Sequence, residues 1–402
     1  MLSLLAAALL CLAAVPLVCA AGYLTLLTLC SKRLAPPAPP APLAPRTRFV
    51  VVVPAHDEES GIGATVRSLL EVAYPKELFR LLVVADNCQD GTADAARAAG
   101  AEVLVRTSAE KRGKGFALEL AYQTVLAQAW AGAVVVIDAD TVASPDLLSA
   151  CDARLQAGAE ALQAHYGVRN PDAGWRTRLM VIALSLFHGV RSLGRERLGV
   201  SCGLRGNGMC FTTALLARVP HDAYSLVEDL EYGLKLGAAG VAVRYVGEAR
   251  VLGEMVTGAA ASVSQRRRWE EGRGQLRKVA RGMLVKALQT RSGLLLDLAL
   301  DVLVPPLATL AGLMLLGLAA SGLLAALSGR RAPLVLYGAG AAALALHVLR
   351  GWVVSGTGWR GLRDLALGPL YMLWKLTLVR HRREQAWVRT RREGSRPEGP
   401  QP

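Results

Sequence analysis

Two aspartates separated by one alanine, Asp138 and Asp140, follow an apolar run that begins at Ala133. Side chains two positions apart on an extended segment lie on the same side of the backbone, so both carboxylates can address one cation. Carboxylate oxygens are ligands that Mg²⁺ and Mn²⁺ prefer. The pair therefore indicates a divalent-metal site at the end of a buried strand. The alternative is a strand exit whose acids cap the following turn.

A short basic loop supplies the second chemical feature. Lys114 lies between Gly113 and Gly115, where a helical pattern begins. A cation is mildly unfavourable at the start of a helix, so this placement indicates a bound anion rather than an ordinary solvated lysine. Together with the aspartate pair, the loop predicts a site for a metal-bound, phosphorylated ligand.

Four β-branched runs alternate with three helical patterns and would position these groups. The runs are "RFVVVV", "FRLLVVA", "AEVLVR" and "AVVVI". This alternation predicts an α/β domain with a parallel sheet covered by helices on both faces. Ligands of such sheets bind beyond the carboxyl ends of the strands, where the loops "PAHDEES", "DNCQDGT", "TSAEKRGKG" and "DADT" lie.

The chain has 402 residues, a formal net charge of +14 and 52% hydrophobic residues, a high share for a soluble protein. Residues 2–30 and 302–328 contain no charge, so each is long enough to cross a bilayer, and 332–349 is a marginal third span. The first run is too long for a signal peptide, and no basic segment precedes it. Lysines and arginines between the spans place that region in the cytoplasm.

The cysteines indicate the redox environment of the protein, and the positions of the basic residues indicate its partners. Seven cysteines form no C-x-x-C pair, which favours a reduced domain over a disulfide framework or a zinc site. Arginine clusters lie beside apolar runs, which indicates anionic membrane lipids as partners before nucleic acid. A Pro/Ala-rich linker at 31–47 separates the first span from the α/β domain.

Two acids open a predicted helix after Ser225. Ser225 and Glu228 have the spacing of a capping box, which predicts that Glu228 caps the helix. Asp229 then has a structural interpretation as well, because a negative charge in the first turn favours the helix dipole.

Seven motifs in order, "VVVPAHDEE", "VADNCQDGT", "GKG", "DAD", "GNGMCF", "VEDLEYG" and "QRRRW", resemble those of the membrane-integrated family-2 glycosyltransferases, the group with cellulose, chitin and hyaluronan synthases. The resemblance covers about 220 residues. It implies a GT-A (Rossmann-like) fold with flanking transmembrane helices, a nucleotide-diphosphate sugar donor with UDP as the first expectation, and Mg²⁺ or Mn²⁺ as cofactor.

The resemblance also implies roles for particular residues. Asp229 is the general base, and Asp138 with Asp140 binds the metal and the diphosphate. The other substrate-binding residues are Pro54, His56, Glu58, Asp86 at the base, Lys114, Gly206, Asn207, Gln265, Arg268 and Trp269. Where many relatives have paired aspartates, this chain has Ala85 and then Asp86, which leaves one acid at the base.

These expectations define a domain plan. It consists of an anchor at 1–30, the linker at 31–47, a GT-A domain at 48–262, an interfacial helix region at 263–290, a C-terminal transmembrane or interfacial region at 291–380 and a basic cytoplasmic tail at 381–402. The protein is expected in the cell membrane as a multi-pass chain with a cytoplasmic catalytic domain.

The expected activity is inverting transfer of a sugar to a growing polysaccharide. Single transfer to a lipid-linked acceptor is the alternative, and an inactive membrane-tethered scaffold that binds nucleotide sugar is the alternative of another class. Expected partners are the donor, a glycan or lipid-linked acceptor, membrane lipids, and a further copy or an export protein, with no nucleic acid beyond the donor nucleotide.

Overall fold

The computed structural model describes residues 1–33, 44–255 and 271–368. The chain folds as two compact units. Within the described residues the helical unit comprises 1–33, 178–199 and 300–368, and the sheet unit comprises 44–177, 200–255 and 271–299. Most of the predicted linker and the whole basic tail at 381–402 lie outside the described residues.

The sheet unit contains one eight-stranded sheet. Its strands are β1 (Phe49–Ala55), β2 (Phe79–Asp86), β3 (Glu102–Arg106), β4 (Ala133–Val136), β5 (Thr141–Ala143), β6 (Ala161–Val168), β7 (Met209–Thr212) and β8 (Val243–Gly253). The spatial order is β3-β2-β1-β4-β7-β6-β8-β5.

The described helices are α1 (Leu2–Arg33), α2 (Glu59–Leu70), α3 (Thr92–Ala98), α4 (Lys114–Gln128), α5 (Leu147–Gln156), α6 (Trp175–Leu184), α7 (Arg191–Arg197), α8 (Thr213–Arg218), α9 (Glu228–Ala238), α10 (Arg277–Thr290), α11 (Gly293–Leu303), α12 (Leu307–Ser328), α13 (Ala332–Ser355) and α14 (Gly358–Leu365). A π-helical turn, Ser185–Val190, joins α6 to α7.

The first half of the sheet is the predicted parallel arrangement. β1 pairs in parallel with β2 and with β4, and β2 pairs in parallel with β3. β1 and β4 are buried along nearly their whole length, as expected for strands covered on both faces. Because these strands are parallel, their carboxyl ends meet at one edge. The predicted α/β fold is confirmed. The loops that follow β1, β2, β3 and β4 lie at the same edge of the sheet.

The second half of the sheet is mixed. β7 pairs antiparallel with both β4 and β6, β6 pairs parallel with β8, and β8 pairs antiparallel with β5. Consequently β7 runs against β4, and the loop that leads into β7 arrives at the carboxyl end of β4. This reversal brings residues more than sixty positions apart to the same edge.

Helix α4 packs closely on the chain that precedes α9. A Cβ atom on Gly115 would lie 2.2 Å from the carbonyl oxygen of Ala223. Only a glycine permits this approach, because any side chain would displace backbone. The contact holds the start of α4, and therefore Lys114, against the segment that leads to α9.

Three helices in the described residues are long and apolar enough to cross a membrane: Leu2–Lys32, Leu307–Ser328 and Ala332–Ser355. The second begins later than the uncharged run at 302, because Pro305 and Pro306 separate α11 from α12. The third, which is marginal as a sequence pattern, is a full helix of 24 residues.

Contacts within the helical unit define the directions of these helices. Thr28 Oγ1 lies 2.7 Å from His347 Nδ1, and Arg350 Nε donates to Ser31 Oγ at 3.5 Å. Residue numbers therefore rise together along α1 and α13, and the two helices are parallel. At the opposite end Arg330 Nε donates to Ser3 Oγ at 3.3 Å. The first residues of α1 and the α12–α13 loop consequently lie at the same end.

A buried charge cluster lies in the helical unit at the start of the last region. Asp301, 1% exposed, accepts hydrogen bonds from Arg191 and, at 2.9 Å, from Arg195. Arg195 is fully buried and also donates to Tyr23 Oη at 2.8 Å. The Asp301 carboxylate is therefore enclosed by two arginines. Removing one partner of such a pair is strongly destabilising.

Candidate active site

The metal-site candidates lie at the carboxyl end of β4. All of Ala133–Val136 is buried, as is Ala139, whereas Asp138 and Asp140 are partly exposed. Both aspartates are therefore accessible on either side of a buried alanine, and their binding of one metal ion stays a prediction. The Thr141 N–H donates to the Asp138 carbonyl at 3.2 Å and closes a turn there. The two acids are therefore presented by a tight turn directly after the sheet core.

Lys114, the first residue of α4, contacts this turn. Its ammonium donates to Asp138 Oδ1 at 2.6 Å and to the carbonyl oxygen of Gly206 at 2.5 Å, and it lies 3.7 Å from Glu228 Oε1. Burial alone would lower the pKa of Lys114, but the carboxylates of Asp138, Glu228 and Asp229 raise it above its ordinary value. The lysine is therefore a fixed positive charge beside the first metal-site aspartate.

The loop before β7 contacts Lys114 through the carbonyl oxygen of Gly206. Gly206 has φ +79°, a left-handed conformation, and a Cβ atom there would lie 3.4 Å from Asp229 Oδ2. Asn207 is fully buried, accepts from the Asp138 N–H at 3.2 Å and donates to Thr141 Oγ1 at 2.7 Å. Asn207 thus braces both ends of the aspartate turn. Its direct contact with substrate stays a prediction.

Helix α9 brings two acids to the same place, and here the capping prediction is wrong. The N-cap is Val227, and Glu231, not Glu228, reaches back to accept the Ser225 N–H at 3.0 Å. The helix begins two residues later than the capping-box spacing requires, so Glu228 lies in its first turn and points to Lys114. Glu228 is a buried member of the site that the sequence pattern assigned to a structural role.

Both acids of α9 have perturbed proton affinity. Burial raises the pKa of Glu228 to about 7, and the negative charges of Asp229 and Asp138 add to the rise while Lys114 opposes it. Burial also raises the pKa of Asp229, against the Leu230 N–H, Lys114 and Arg205, which lower it. A carboxylate with a raised pKa is a stronger base than an exposed one, which suits proton abstraction near neutral pH.

A second group lies at the ends of β2 and β3. The sheet register pairs Asp86 with Arg106, and Arg106 Nη1 donates to Asp86 Oδ1 at 2.5 Å. Asn87 Nδ2 donates to the same oxygen at 3.0 Å. His56 Nδ1 donates to the Asp86 carbonyl at 2.7 Å, which ties the end of β1 to the end of β2. The predicted base-binding aspartate therefore has a buried cationic partner that the sequence analysis missed.

The loop after β1 is braced rather than open. The Glu58 N–H donates to Thr92 Oγ1 at 2.8 Å, and Pro54 lies within β1 opposite Val84. Neither observation assigns the side chains to a ligand, so their roles stay predictions. Gln265, Arg268 and Trp269 lie outside the described residues.

Asp57, Cys88 and Asp90 also have ligand atoms close enough for one metal ion. Their carboxylates already accept backbone hydrogen bonds. Asp57 Oδ1 accepts from the Gln89 N–H at 2.7 Å, and Asp90 accepts from Thr92 and Glu59 N–H groups at 3.0 and 3.1 Å. These bonds join the β1 and β2 loops to each other. This cluster therefore has a structural role, and it is also a second group of the described residues whose ligand atoms could hold a metal ion.

One solved structure resembles the fold over nearly the whole chain, and two others are similar over shorter parts of it. The mannosyltransferase PcManGT from Pyrobaculum calidifontis, solved with GDP-Man and Mn²⁺, is 20% identical, and the match covers 91% of this chain and 99% of that one with a TM-score of 0.57. Glucosyl-3-phosphoglycerate synthase from Mycobacterium tuberculosis, with Mn²⁺, UDP and phosphoglyceric acid, is 21% identical over 55% of this chain and 75% of that one, with a TM-score of 0.37. TarS from S. aureus is 18% identical over 59% and 40%, with a TM-score of 0.39.

No curated protein matches the chain significantly. The decisive comparison is with a family model described as "Glycosyltransferase like family 2", which matches residues 45–272, more than half of the chain and every described element of the candidate site. The chain belongs to this glycosyltransferase family.

Proposed function

We propose that the protein is a membrane-bound, inverting glycosyltransferase that takes a sugar from a nucleotide-diphosphate donor and transfers it to a growing polysaccharide. The observation that carries the proposal is the cluster of Lys114, Asp138, Glu228 and Asp229 around Gly206, at the edge of the sheet where parallel strands end. This cluster combines a fixed cation, partly exposed acids and a candidate base within one small volume.

The residues at this edge fit Mg²⁺ or Mn²⁺. Two partly exposed carboxylates are hard oxygen ligands, and sites that hold Mg²⁺ with one or two carboxylates complete the coordination with water and substrate phosphate. The Lys114 ammonium already lies against Asp138 as a cation of the protein itself, which indicates that the position favours positive charge. A bound ion would offset the negative charge that develops on the leaving diphosphate.

The residues of the cluster have separate roles in the proposed reaction. Lys114 offers its ammonium to the donor phosphates, Asn207 holds the aspartate turn in place, and Gly206 leaves room above Asp229 for a sugar. Asp229 takes the proton from the attacking acceptor hydroxyl. Direct attack by that hydroxyl on the donor sugar is one displacement, which inverts the configuration at the anomeric carbon.

Contacts within the helical unit support the proposed membrane arrangement. With α1 and α13 parallel and α12 between them in the chain, three spans alternate in direction and leave the segment 34–306 on one side. The basic residues that flank the spans are concentrated on that side, which places it in the cytoplasm by the positive-inside rule. Donors made in the cytoplasm then reach the site directly.

A second candidate, single transfer to a lipid-linked acceptor, is favoured by the number of spans. Three candidate spans in the described residues are few to enclose a channel for a growing glycan. Polysaccharide synthesis by this chain would therefore require a further copy or an export partner, whereas a single transfer at the membrane surface would not.

The proposal is tested with purified full-length protein in lipid nanodiscs and a panel of nucleotide sugars, with products identified by mass spectrometry. We expect at least one donor to be consumed with release of its nucleoside diphosphate, and EDTA to stop the reaction. Addition of Mg²⁺ or Mn²⁺ should restore it. Tight donor binding without consumption, in the presence of membrane extracts as acceptor, would instead identify an inactive scaffold. The product length separates repeated from single transfer.

The raised pKa of Glu228 predicts a pH-dependent stability. Its folded pKa of about 7 lies above the ordinary value of 4.5, so the folded state binds more protons and stability falls as pH rises between these values. Glu228→Gln resembles the neutral form. We expect the variant and the wild type to melt alike at pH 5, and the variant to be more stable at pH 8 by about 1–2 kcal/mol, since one pKa unit is worth about 1.4 kcal/mol.

The melting comparison is made on the metal-free protein, with Glu248→Gln as a control at a carboxylate outside the site that pairs with Arg154 at 3.0 Å. Equal stability differences at pH 5 and pH 8 would contradict the assignment of a buried, partly neutral Glu228.

A further inference from the structure

We infer that Arg197 and Arg350, at the place where α1, α7 and α13 meet, bind the phosphate of an anionic membrane phospholipid. The inference goes beyond the transfer reaction. It rests on the membrane part of the proposed function, since a lipid reaches this place only if α1 and α13 span a bilayer. It assigns a defined site to a class of partner that the sequence indicates only in general terms.

Contacts within the helical unit hold both arginines at the end of α1. Arg197 Nη1 donates to the carbonyl oxygen of Cys30 at 3.0 Å and also to that of Ser31. Arg350 Nε donates to Ser31 Oγ at 3.5 Å. The two guanidinium groups, one from α7 and one from α13, therefore converge on the same residue of α1.

Helix packing one turn below fixes the direction of each arginine. A Cβ atom on Gly194 of α7 would lie 2.5 Å from the carbonyl oxygen of Leu27, so only a glycine allows α7 this close to α1. On the other side, Thr28 Oγ1 lies 2.7 Å from His347 Nδ1 and joins α13 to α1. The arginines consequently extend from a closely packed three-helix contact rather than from mobile surface.

The two positive charges lie close together without a compensating acid. Among the described residues no carboxylate lies within ion-pair distance of Arg197 or Arg350. Burial and the nearby charge of Arg350 lower the pKa of Arg197. The Nε atom of Arg197 is enclosed and has no hydrogen-bond partner in the described part of the chain. Neighbouring like charges and an unsatisfied buried donor are both unfavourable, and one bound anion relieves both.

A phosphate group fits these donors. Each guanidinium is a planar fork with five N–H groups, which matches two oxygens of a phosphate and forms charge-assisted hydrogen bonds with them. Arg197 uses Nη1 for the α1 carbonyls, and Arg350 uses Nε for Ser31, so both retain further donors. One phosphate between them can accept from both arginines.

The surroundings favour a lipid phosphate over a free one. Arg350 precedes the last residue of α13, Ser355, by about 8 Å of helix axis. Leu346 and Val353 lie on the same face of α13 as Arg350, one turn to either side, and are 45% and 59% exposed. An arginine between exposed apolar side chains near the end of a span matches a phospholipid, which carries its phosphate next to its acyl chains.

The test measures lipid binding to the full-length protein in an uncharged detergent, without metal or nucleotide sugar. The probes are phosphatidylglycerol and phosphatidylcholine with identical acyl chains, counted by native mass spectrometry, and inorganic phosphate as a lipid-free anion. We expect phosphatidylglycerol to bind about tenfold more tightly than phosphatidylcholine, since its net negative charge is not offset by a choline group. It should also raise the melting temperature, because it binds only the folded protein.

Two variants separate lipid binding from folding. Arg350→Gln removes one guanidinium and disturbs only the long hydrogen bond to Ser31, so we expect it to fold and to lose most of the roughly tenfold preference for phosphatidylglycerol. Arg197→Lys retains a charged donor for the α1 carbonyls and loses the planar fork. It should reduce the preference about threefold, which keeps the test decisive if Arg350→Gln does not fold.

Arg363→Gln is the matched control, because Arg363 lies on α14 of the same unit with 71% of its side chain exposed. It removes the same charge and should leave the preference unchanged. An equal loss in Arg363→Gln and Arg350→Gln would reduce the effect to general surface charge and overturn the inference.

Three other results would also overturn it: equal binding of the two lipids by the wild type, an unchanged preference in both site variants, or displacement of phosphatidylglycerol by inorganic phosphate with the same stabilisation. Each of these results leaves donor turnover unaffected and so does not touch the proposed reaction. Failure of the wild-type protein to remain in the membrane fraction would instead overturn the membrane part of the proposed function.

Discussion

Asp229→Asn is expected to lower kcat by about 10³-fold while the dissociation constant of the donor changes less than threefold. A positioned general base contributes about 10²–10⁴ to a rate, and asparagine retains the size of the side chain but cannot take a proton. Lys114 and Asp138, the proposed donor-binding residues, are hydrogen-bonded to each other, and this bond does not involve the Asp229 side chain. Steady-state release of nucleoside diphosphate and calorimetric donor binding, measured on the same preparation, check the two halves of the prediction.

The effect of substituting the adjacent Glu228 tests whether Asp229 is the base. Both carboxylates lie in the first turn of α9, Glu228 buried and Asp229 partly buried, and both have raised pKa values. Glu228 lies against Lys114, whereas Asp229 lies beneath Gly206, where a sugar would be placed. Glu228→Gln should therefore reduce kcat far less than Asp229→Asn. The opposite order would transfer the role of base to Glu228. Asp222→Asn, at an exposed carboxylate paired with Lys235, should have no effect.

Asp138→Asn and Asp140→Asn are each expected to lower kcat/KM by about 10²–10³-fold at fixed Mn²⁺ and to raise the Mn²⁺ concentration needed for half-maximal rate at least tenfold. Loss of one of two carboxylate ligands weakens the metal site, and a metal that stabilises the leaving group is worth several kcal/mol, of which each 1.4 kcal/mol is a factor of ten. Metal titration of the rate, together with Mn²⁺ binding followed by electron paramagnetic resonance, measures both effects.

The Asp138→Asn and Asp140→Asn variants are expected to differ in pyrophosphate binding, because the two aspartates have different hydrogen-bond partners. Asp138 is also the hydrogen-bond acceptor of Lys114, so its replacement disturbs the lysine as well as the metal. Asp140 contacts Thr141 Oγ1 at 3.3 Å. Asp138→Asn should therefore weaken pyrophosphate binding even without metal, and Asp140→Asn should not. Unchanged metal dependence in both variants would remove the metal from this turn. Asp94→Asn, at an exposed acid on α3, is the control.

The roles of the charged residues in the two units differ in kind. In the sheet unit, Lys114 and three acids form a site of unequal charge that a ligand can complete. In the helical unit, Asp301 is enclosed by Arg191 and Arg195, and Arg178 Nε donates to the buried Asp364 at 2.5 Å. These pairs hold helices together in apolar surroundings, where an unpaired charge is costly.

Local patterns in the sequence determined the parallel half of the sheet and the candidate membrane spans. The β-branched runs and intervening helical patterns specify β1 to β4 as parallel strands, because such runs are stable only when both faces are covered. That arrangement alone requires the loops with Asp86, Lys114 and Asp138 to meet at one edge. Long uncharged segments likewise specify the candidate spans from composition and length. The parallel strands and the candidate spans depend on residues that are close together in the chain. Their patterns can therefore be recognised in a single sequence.

Tertiary structure decided which groups complete the site. Glu228 enters it instead of capping α9, because the helix starts later than the local motif requires and Lys114 lies opposite. Arg106 binds Asp86 through the β2–β3 register, and Asn207 reaches the aspartate turn because β7 runs antiparallel to β4. Each of these contacts joins residues twenty to more than one hundred positions apart. Their partners are set by strand register and helix packing, for which a local sequence pattern carries no information.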